Sequence, residues 1–270
     1  MRVAALTTLA LVCFAANSLL CRAALGSGSI DPARFTAVRL GCGAVLLALL
    51  TGGRIRGAWR SAAALLLYAV AFSFAYVRLP AGVGALILFG SVQLTMVGTG
   101  LVRGERPGLT AFAGLLLALL GLVALALPSA RSATLLASLS MAAAGAAWGA
   151  YSLLARRIGA ALIDTAGNFA RTVPVAALLW FAAPAQPFRA SGLLLAALSG
   201  ALASGVGYAI WATAVPHLTA TRAAVAQLLV PVLAAAGGIA LLGEKLTPRL
   251  LGSAACILCG VALALFGRRR

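Results

Sequence analysis

The sequence predicts an all-α membrane protein: ten transmembrane helices arranged as two inverted five-helix repeats. Three observations predict it. Apolar types fill 63% of the 270 positions, whereas Asp, Glu, Lys and Arg make up only 9%, against roughly a quarter in a soluble domain. The apolar residues come in blocks of about 20, the length that crosses the hydrocarbon of a bilayer. Segments of the second half also echo segments of the first. A mean hydropathy of +1.08 leaves too few polar groups to cover a water-facing surface. A soluble enzyme, a nucleic-acid-binding domain and a disordered tail are therefore excluded.

Taken in order, the expected spans are about 3–22, 34–52, 61–78, 80–102, 109–128, 134–155, 162–183, 191–213, 218–242 and 248–267. The first two are parted by Gly26-Ser27-Gly28-Ser29-Ile30-Asp31-Pro32 and the next break is Gly52-Gly53-Arg54-Ile55-Arg56-Gly57. Pro80 marks the third break, and Arg103-Gly104-Glu105-Arg106-Pro107-Gly108 the fourth. Pro128-Ser129-Ala130-Arg131, the pair Arg156-Arg157, Pro184-Ala185-Gln186-Pro187, the neighbourhood of His217 and Gly243-Glu244-Lys245-Leu246-Thr247-Pro248 mark the rest. In each, turn chemistry coincides with charge or proline. The connections are short and leave no room for an extramembrane domain.

Twenty-one basic residues face four acidic ones, a formal charge of +17. They do not form a stripe with interleaved aromatics, as a nucleic-acid surface would. They sit between the apolar blocks, as anionic cytoplasmic headgroups favour. With the N-terminus cytoplasmic, the inner side collects twelve basic residues, Arg2, Arg54, Arg56, Arg60, Arg103, Arg106, Arg156, Arg157, Arg222 and the run Arg268-Arg269-Arg270, against seven on the outer side, Arg22, Arg34, Arg78, Arg131, Arg189, Lys245 and Arg249. Both termini are therefore expected in the cytoplasm, in a bacterial inner membrane. The first block is read as a span and not as a cleaved leader, because it exceeds the usual apolar core of a signal and has a partner later in the chain.

That partner belongs to an internal repeat. At an offset of 139, Leu94, Gly98, Gly104, Glu105, Leu119 and Gly121 fall on Leu233, Gly237, Gly243, Glu244, Leu258 and Gly260, and Arg106 falls on Lys245. At an offset of 134, Ser18, Leu19, Leu20 and Arg22 fall on Ser152, Leu153, Leu154 and Arg156, with Phe14 opposite Trp148. Residues 1–130 and 131–270 thus form two expected five-helix units. Five crossings are an odd number, so the second unit enters the membrane from the opposite side, the arrangement many secondary transporters use for alternating access.

The repeated turns Gly104-Glu105-Arg106 and Gly243-Glu244-Lys245, the following Gly121 and Gly260, and Gly207-Tyr208-Ala209-Ile210-Trp211 in the eighth span resemble the drug/metabolite transporter superfamily, EamA branch. The resemblance covers the whole chain. It implies a multi-pass permease that exports amino acids, metabolites or drugs through a central cavity between the repeats.

Several residues are candidates for a solute site. Arg39 and Arg171 lie inside the second and seventh spans, where an ionised side chain costs at least about 2.5–3.5 kcal/mol and faces an aqueous cavity or a partner. A guanidinium there offers a carboxylate a two-pronged grip; the alternative is anchoring by Asp31 or Asp164 nearby, or snorkelling. Asn17, Gln93, Asn168 and Gln227, with Ser18, are polar groups in apolar helices that either line a site or join helices. Trp148, Tyr151, Tyr208 and Trp211 either stack on a ligand or pack at an interface. Glu105 and Glu244 are expected to complement helix N-termini. Pairs such as Gly145 and Gly149 mark close helix approach. The five cysteines, Cys256 and Cys259 among them, read as small buried apolar residues, and His217 as a polar end residue.

One His and four scattered acids build neither a nucleophile–base pair nor a metal cluster, so no enzymatic activity, metal or cofactor is expected, and no ring of like charge suggests a pore. The expected function is a secondary transporter, an exporter of small solutes such as amino acids or amphipathic compounds, in contact with membrane lipid and open to proton coupling. The competing reading is a lipid or lipid-linked-substrate flippase, separated from the first by whether Arg39 and Arg171 face an enclosed space or a lateral opening.

Overall fold

In a computed structural model, residues 2–102, 109–126, 132–154, 161–183, 187–218, 226–227 and 229–266 are described. They form ten helical runs: α1 Arg2–Gly26, α2 Pro32–Leu50, α3 Trp59–Tyr76, α4 Ala81–Val102, α5 Leu109–Ala126, α6 Ser132–Leu154, α7 Ala161–Ala182, α8 Ala190–His217, α9 Leu229–Leu242 and α10 Pro248–Phe266. Nine of the expected spans agree to within a few residues; the ninth, expected over 218–242, is described as helix at 226–227 and over Leu229–Leu242, and residues 219–225 and 228 of it lie outside the described residues. Four of these runs, in α1, α2, α3 and α8, are long and apolar enough to cross a membrane by length and composition, and the apolar runs Ala81–Met96, Phe112–Gly121, Leu229–Leu242 and Pro248–Gly260 are shorter.

The distribution of side chains is inverted relative to a water-soluble bundle. Leu49, Leu67, Leu136, Leu178, Phe181, Leu194 and Leu241 are exposed, while Asn17, Arg39, Gln93, Asn168, Ser199, Ser204 and Gln227 are buried. An outer surface of this kind suits hydrocarbon, not water. The core combines these polar groups with Leu11, Phe35, Phe72, Tyr76 and Phe169.

Helix pairing follows the small residues. α2 packs on α7 and on α8, α3 on α6, α4 on α6 and α9, α1 on α8 and α9, and α5 on α10. A Cβ at Gly145 would strike the Leu88 carbonyl of α4, and one at Gly149 would stand 3.0 Å from Thr95 Cβ, so the Gly145/Gly149 pair does bring α6 against α4. Gly260 lies against the backbone of Gly114 and Ala118, and Gly121 against Cys256 and Ile257. The glycines paired by the repeat thus hold α5 and α10 together.

Helix ends are closed by side chains from elsewhere in the chain. The α3–α4 break near Pro80 is real. Arg22 donates to the carbonyls of Tyr76 (3.1 Å) and Val77 (3.3 Å) at the end of α3. The carboxylate of Glu244 accepts from Ala81 N–H at the start of α4, at 2.7 and 2.9 Å. Arg22 Nε and Glu244 Oε1 are 3.6 Å apart. Glu244 therefore complements a helix N-terminus, but that of α4 and not of the helix that follows it in sequence. Glu105 lies outside the described residues. Among the cysteines only Cys21 is buried; Cys13, Cys42 and Cys256 are half-buried and Cys259 is exposed, because an apolar side chain on a lipid-facing surface gains nothing from further burial.

Gly260→Leu is expected to push α10 off α5 and lower the unfolding midpoint in detergent by an amount equivalent to about 1–3 kcal/mol. An unchanged midpoint would show that the two helices do not depend on that contact.

Candidate functional site

The centre of the bundle holds a chain of buried polar groups. Ser199 Oγ donates to Asn17 Oδ1 (2.6 Å), and Asn17 Nδ2 donates to the Tyr68 hydroxyl (3.4 Å). Arg39 Nη2 donates to the same hydroxyl and Arg39 Nε to Ser204 Oγ, both at 3.1 Å. α1, α2, α3 and α8 thus meet in one network. Arg39 is 1% exposed. Its guanidinium carbon lies over the rings of Tyr68 and Phe72, at 5.1 and 4.9 Å from their centroids, a geometry that stabilises a desolvated cation. Its Nη1 has no hydrogen-bond partner.

The local winding of α8 makes this possible. Ser199–Val206 is π-helical. In an α-helix, residues five apart point about 140° away from one another. A helix closing i→i+5 bonds turns more slowly and returns such residues to nearly the same face, so Ser199 and Ser204 both reach the network. Gly200 allows the close approach: a Cβ there would strike the backbone carbonyl of Arg39.

Aromatic rings enclose the network on the side of the second half. Trp148 contacts Tyr68 (5.0 Å between centroids), Tyr208 (4.8 Å), Tyr151 (5.4 Å, near-parallel) and Phe14 (5.9 Å, edge-on). Phe14 also meets Tyr208 and Trp211, each at 5.7 Å. Trp148 Nε1 donates to Gln227 Oε1 at 3.4 Å. Phe14 and Trp148, which fall opposite each other at the 134-residue sequence offset, therefore touch at the centre.

Of the residues singled out in sequence, Asn17, Arg39, Trp148, Tyr151, Tyr208 and Gln227 come together here. Gln93 is buried on the stretch of α4 that packs against α6. Arg171 and Asn168 are placed elsewhere. Arg171 Nη1 donates to the carbonyls of Arg56 and Gly167, and its guanidinium lies over Trp59. Asn168 Oδ1 accepts from Ala58 N–H at 2.9 Å; Asp164 Oδ1 accepts from Gly57 N–H at 3.3 Å and pairs with Arg56 Nε at 3.5 Å. Residues 164, 168 and 171 share one helix face, and that face grips the α2–α3 link. Gly57, with φ +78°, brings the link close enough. Asn168 also lies beside the Tyr151 hydroxyl. Nor does Asp31 anchor Arg39. It caps α2, accepting from Ala33 N–H and Arg34 N–H at 3.0 Å and pairing with Arg34.

Tyr68, Ser199 and Ser204 were not legible as site residues. A tyrosine in an apolar helix reads as packing, and the only signal was the pair of Ser-Gly steps five residues apart, Ser199-Gly200 and Ser204-Gly205.

Residues 135–266 match the model of the EamA-like transporter family. The chain is 53% identical to the uncharacterized protein PA1977 of Pseudomonas aeruginosa, with 97% of this chain and 94% of that protein covered. It is 28% identical to a Salmonella typhimurium protein described as a probable amino-acid metabolite efflux pump, over 74% of this chain and 73% of that one. A crystal structure shares the fold, with a TM-score of 0.67 and 21% identity over 97% of this chain and 99% of the other. The chain belongs to the EamA-like transporter family of the drug/metabolite transporter superfamily. It is an integral, multi-pass membrane protein that transports small molecules.

If the polar network acts as a unit, Tyr68→Phe and Ser204→Ala will be non-additive in detergent unfolding, with a coupling of about 0.5–3 kcal/mol. Additive losses would mean that Arg39 is held by each partner independently.

Proposed function

We propose that this chain exports small, carboxylate-bearing metabolites of the amino-acid type by alternating access between two inverted five-helix repeats, residues 1–130 and 131–270, with both termini cytoplasmic. The observation that carries the reading is Arg39: a guanidinium enclosed at the centre of the bundle, held through Nε and Nη2, with Nη1 buried and without an acceptor. A carboxylate is the complementary group. The Tyr68, Trp148 and Tyr208 rings beside it suit the ammonium or apolar part of such a solute. Enclosure by rings and helices favours a solute site over a groove open to lipid, and the efflux function named for the Salmonella relative supports the outward direction.

The helix pairing supports the repeat. If α1 to α5 correspond to α6 to α10, then α2 with α7, α4 with α9 and α5 with α10 each pair a helix with its own counterpart. The α3–α6 contact likewise corresponds to the contact of α8 with α1. A two-fold relation of this kind, with five crossings per unit, would put one site between two halves that rock against each other.

Ties at the two ends of the bundle support alternating access. At one end, the tie from Arg22 and the α3–α4 break to Glu244 joins the two halves. At the other, Asp164, Asn168 and Arg171 of the second half hold the α2–α3 link of the first. With the N-terminus cytoplasmic, the first tie is external and the second internal. Both are formed here, which corresponds to a closed state; release of one at a time opens one face.

Two measurements test the reading. In vesicles loaded with labelled L-amino acids, Arg39→Ala is expected to slow efflux at least about tenfold, as loss of a charged hydrogen-bonding group implies, while Arg171→Ala keeps the same solute preference. Efflux unaffected by Arg39→Ala would overturn the site. With the five native cysteines replaced by Ala, Arg22→Cys/Glu244→Cys joined by a short bis-methanethiosulfonate linker, which attaches through disulfides, is expected to stop transport, and reduction to restore it. Undiminished flux in the cross-linked protein would remove the external tie from the mechanism.

A further inference from the structure

The charge of Arg39 has a consequence for how the empty carrier returns. Among the described residues the ion pairs stand at helix ends: Arg22 with Glu244, Arg34 with Asp31 and Arg56 with Asp164. The whole chain has four acids, and the remaining one, Glu105, falls in sequence between the fourth and fifth spans. Among the described residues, therefore, no carboxylate pairs with the central guanidinium. Its partners there are two hydroxyls and two ring faces.

When either face is open, water reaches Nη1. When both are closed, as here, Nη1 is buried and has no acceptor. A buried charged donor left without an acceptor carries the full cost of its desolvation, and a carboxylate presented in the plane of the guanidinium removes that cost. The closed state must be crossed in both directions of the cycle. Loaded, it is satisfied; empty, it is not. The barrier to the empty return is raised by that difference.

We propose that this chain is an exchanger: it crosses the closed state readily with a carboxylate-bearing solute bound and slowly without one, so that outward movement of one solute is driven by inward movement of another. This rests on the reading of Arg39 as the solute site. A small inorganic anion could satisfy the same nitrogen, and the experiment separates the two.

Proteoliposomes are loaded with labelled L-amino acids, one at a time. Efflux is followed into chloride-free buffer with no addition, with the unlabelled amino acid, with its decarboxylated amine, or with chloride. The unlabelled amino acid is expected to accelerate efflux about ten- to a hundredfold, at about 1.4 kcal/mol per factor of ten, and the amine and chloride to leave it unchanged. Arg39→Gln is expected to bring the ratio of exchange to net efflux toward one, whatever its absolute rate. Equal wild-type efflux into all four buffers overturns the proposal while leaving the amino-acid reading intact. Acceleration by the amine overturns the pairing of carboxylate with Arg39, and acceleration by chloride replaces solute exchange with an inorganic counter-ion. If no labelled amino acid leaves the vesicles in any buffer, the reading of the site fails, and the exchange proposal with it.

Discussion

The structure is organised around a cation in a place where cations are costly. Burying a guanidinium in the middle of an apolar bundle is tolerated only where dipoles and ring faces replace water. Here the replacement comes from α1, α2, α3 and α8 together: Tyr68 accepts from Arg39 and is itself held by Asn17, and Ser204 accepts from Nε. The helices that form the centre are those that Arg39 needs. The π-helical stretch of α8 follows from the same demand, since α-helical winding would turn one of Ser199 and Ser204 away.

A second constraint acts at the helix ends. The terminal amides and carbonyls of a helix need partners wherever water is scarce. This chain meets the need with side chains from distant helices: Arg22 for the end of α3, Glu244 for the start of α4, Asn168 for the start of α3, and Arg249 for the Ala124 carbonyl near the end of α5. The scarce charged residues outside the centre are therefore spent at boundaries between segments. Most of these contacts join helices far apart in sequence, so the groups that complete the helices also tie distant segments together. That double use explains why Arg171, a second guanidinium within a span, does not join Arg39. The α2–α3 link has carbonyls to satisfy, and α7 presents Asp164, Asn168 and Arg171 to it on one face.

The amino-acid sequence by itself determined the class of fold. Apolar blocks of membrane length, turn residues between them and two matched sets of glycines leave little else for the chain to be, because each block must bury its backbone within itself in hydrocarbon. It also determined that Arg39, Asn17, Trp148, Tyr151, Tyr208 and Gln227 were unusual for their surroundings. Tertiary structure alone decided which of the unusual residues meet. Two arginines with similar credentials went to different places, one to buried hydroxyls and rings at the centre and the other to two backbone carbonyls and the Trp59 ring at the α2–α3 link. Tyr68, Ser199 and Ser204 gained their roles only from where the helices cross. The physical reason is that insertion cost depends on composition, which is written along the chain, whereas hydrogen-bond partners depend on helix rotation and local winding, which packing sets.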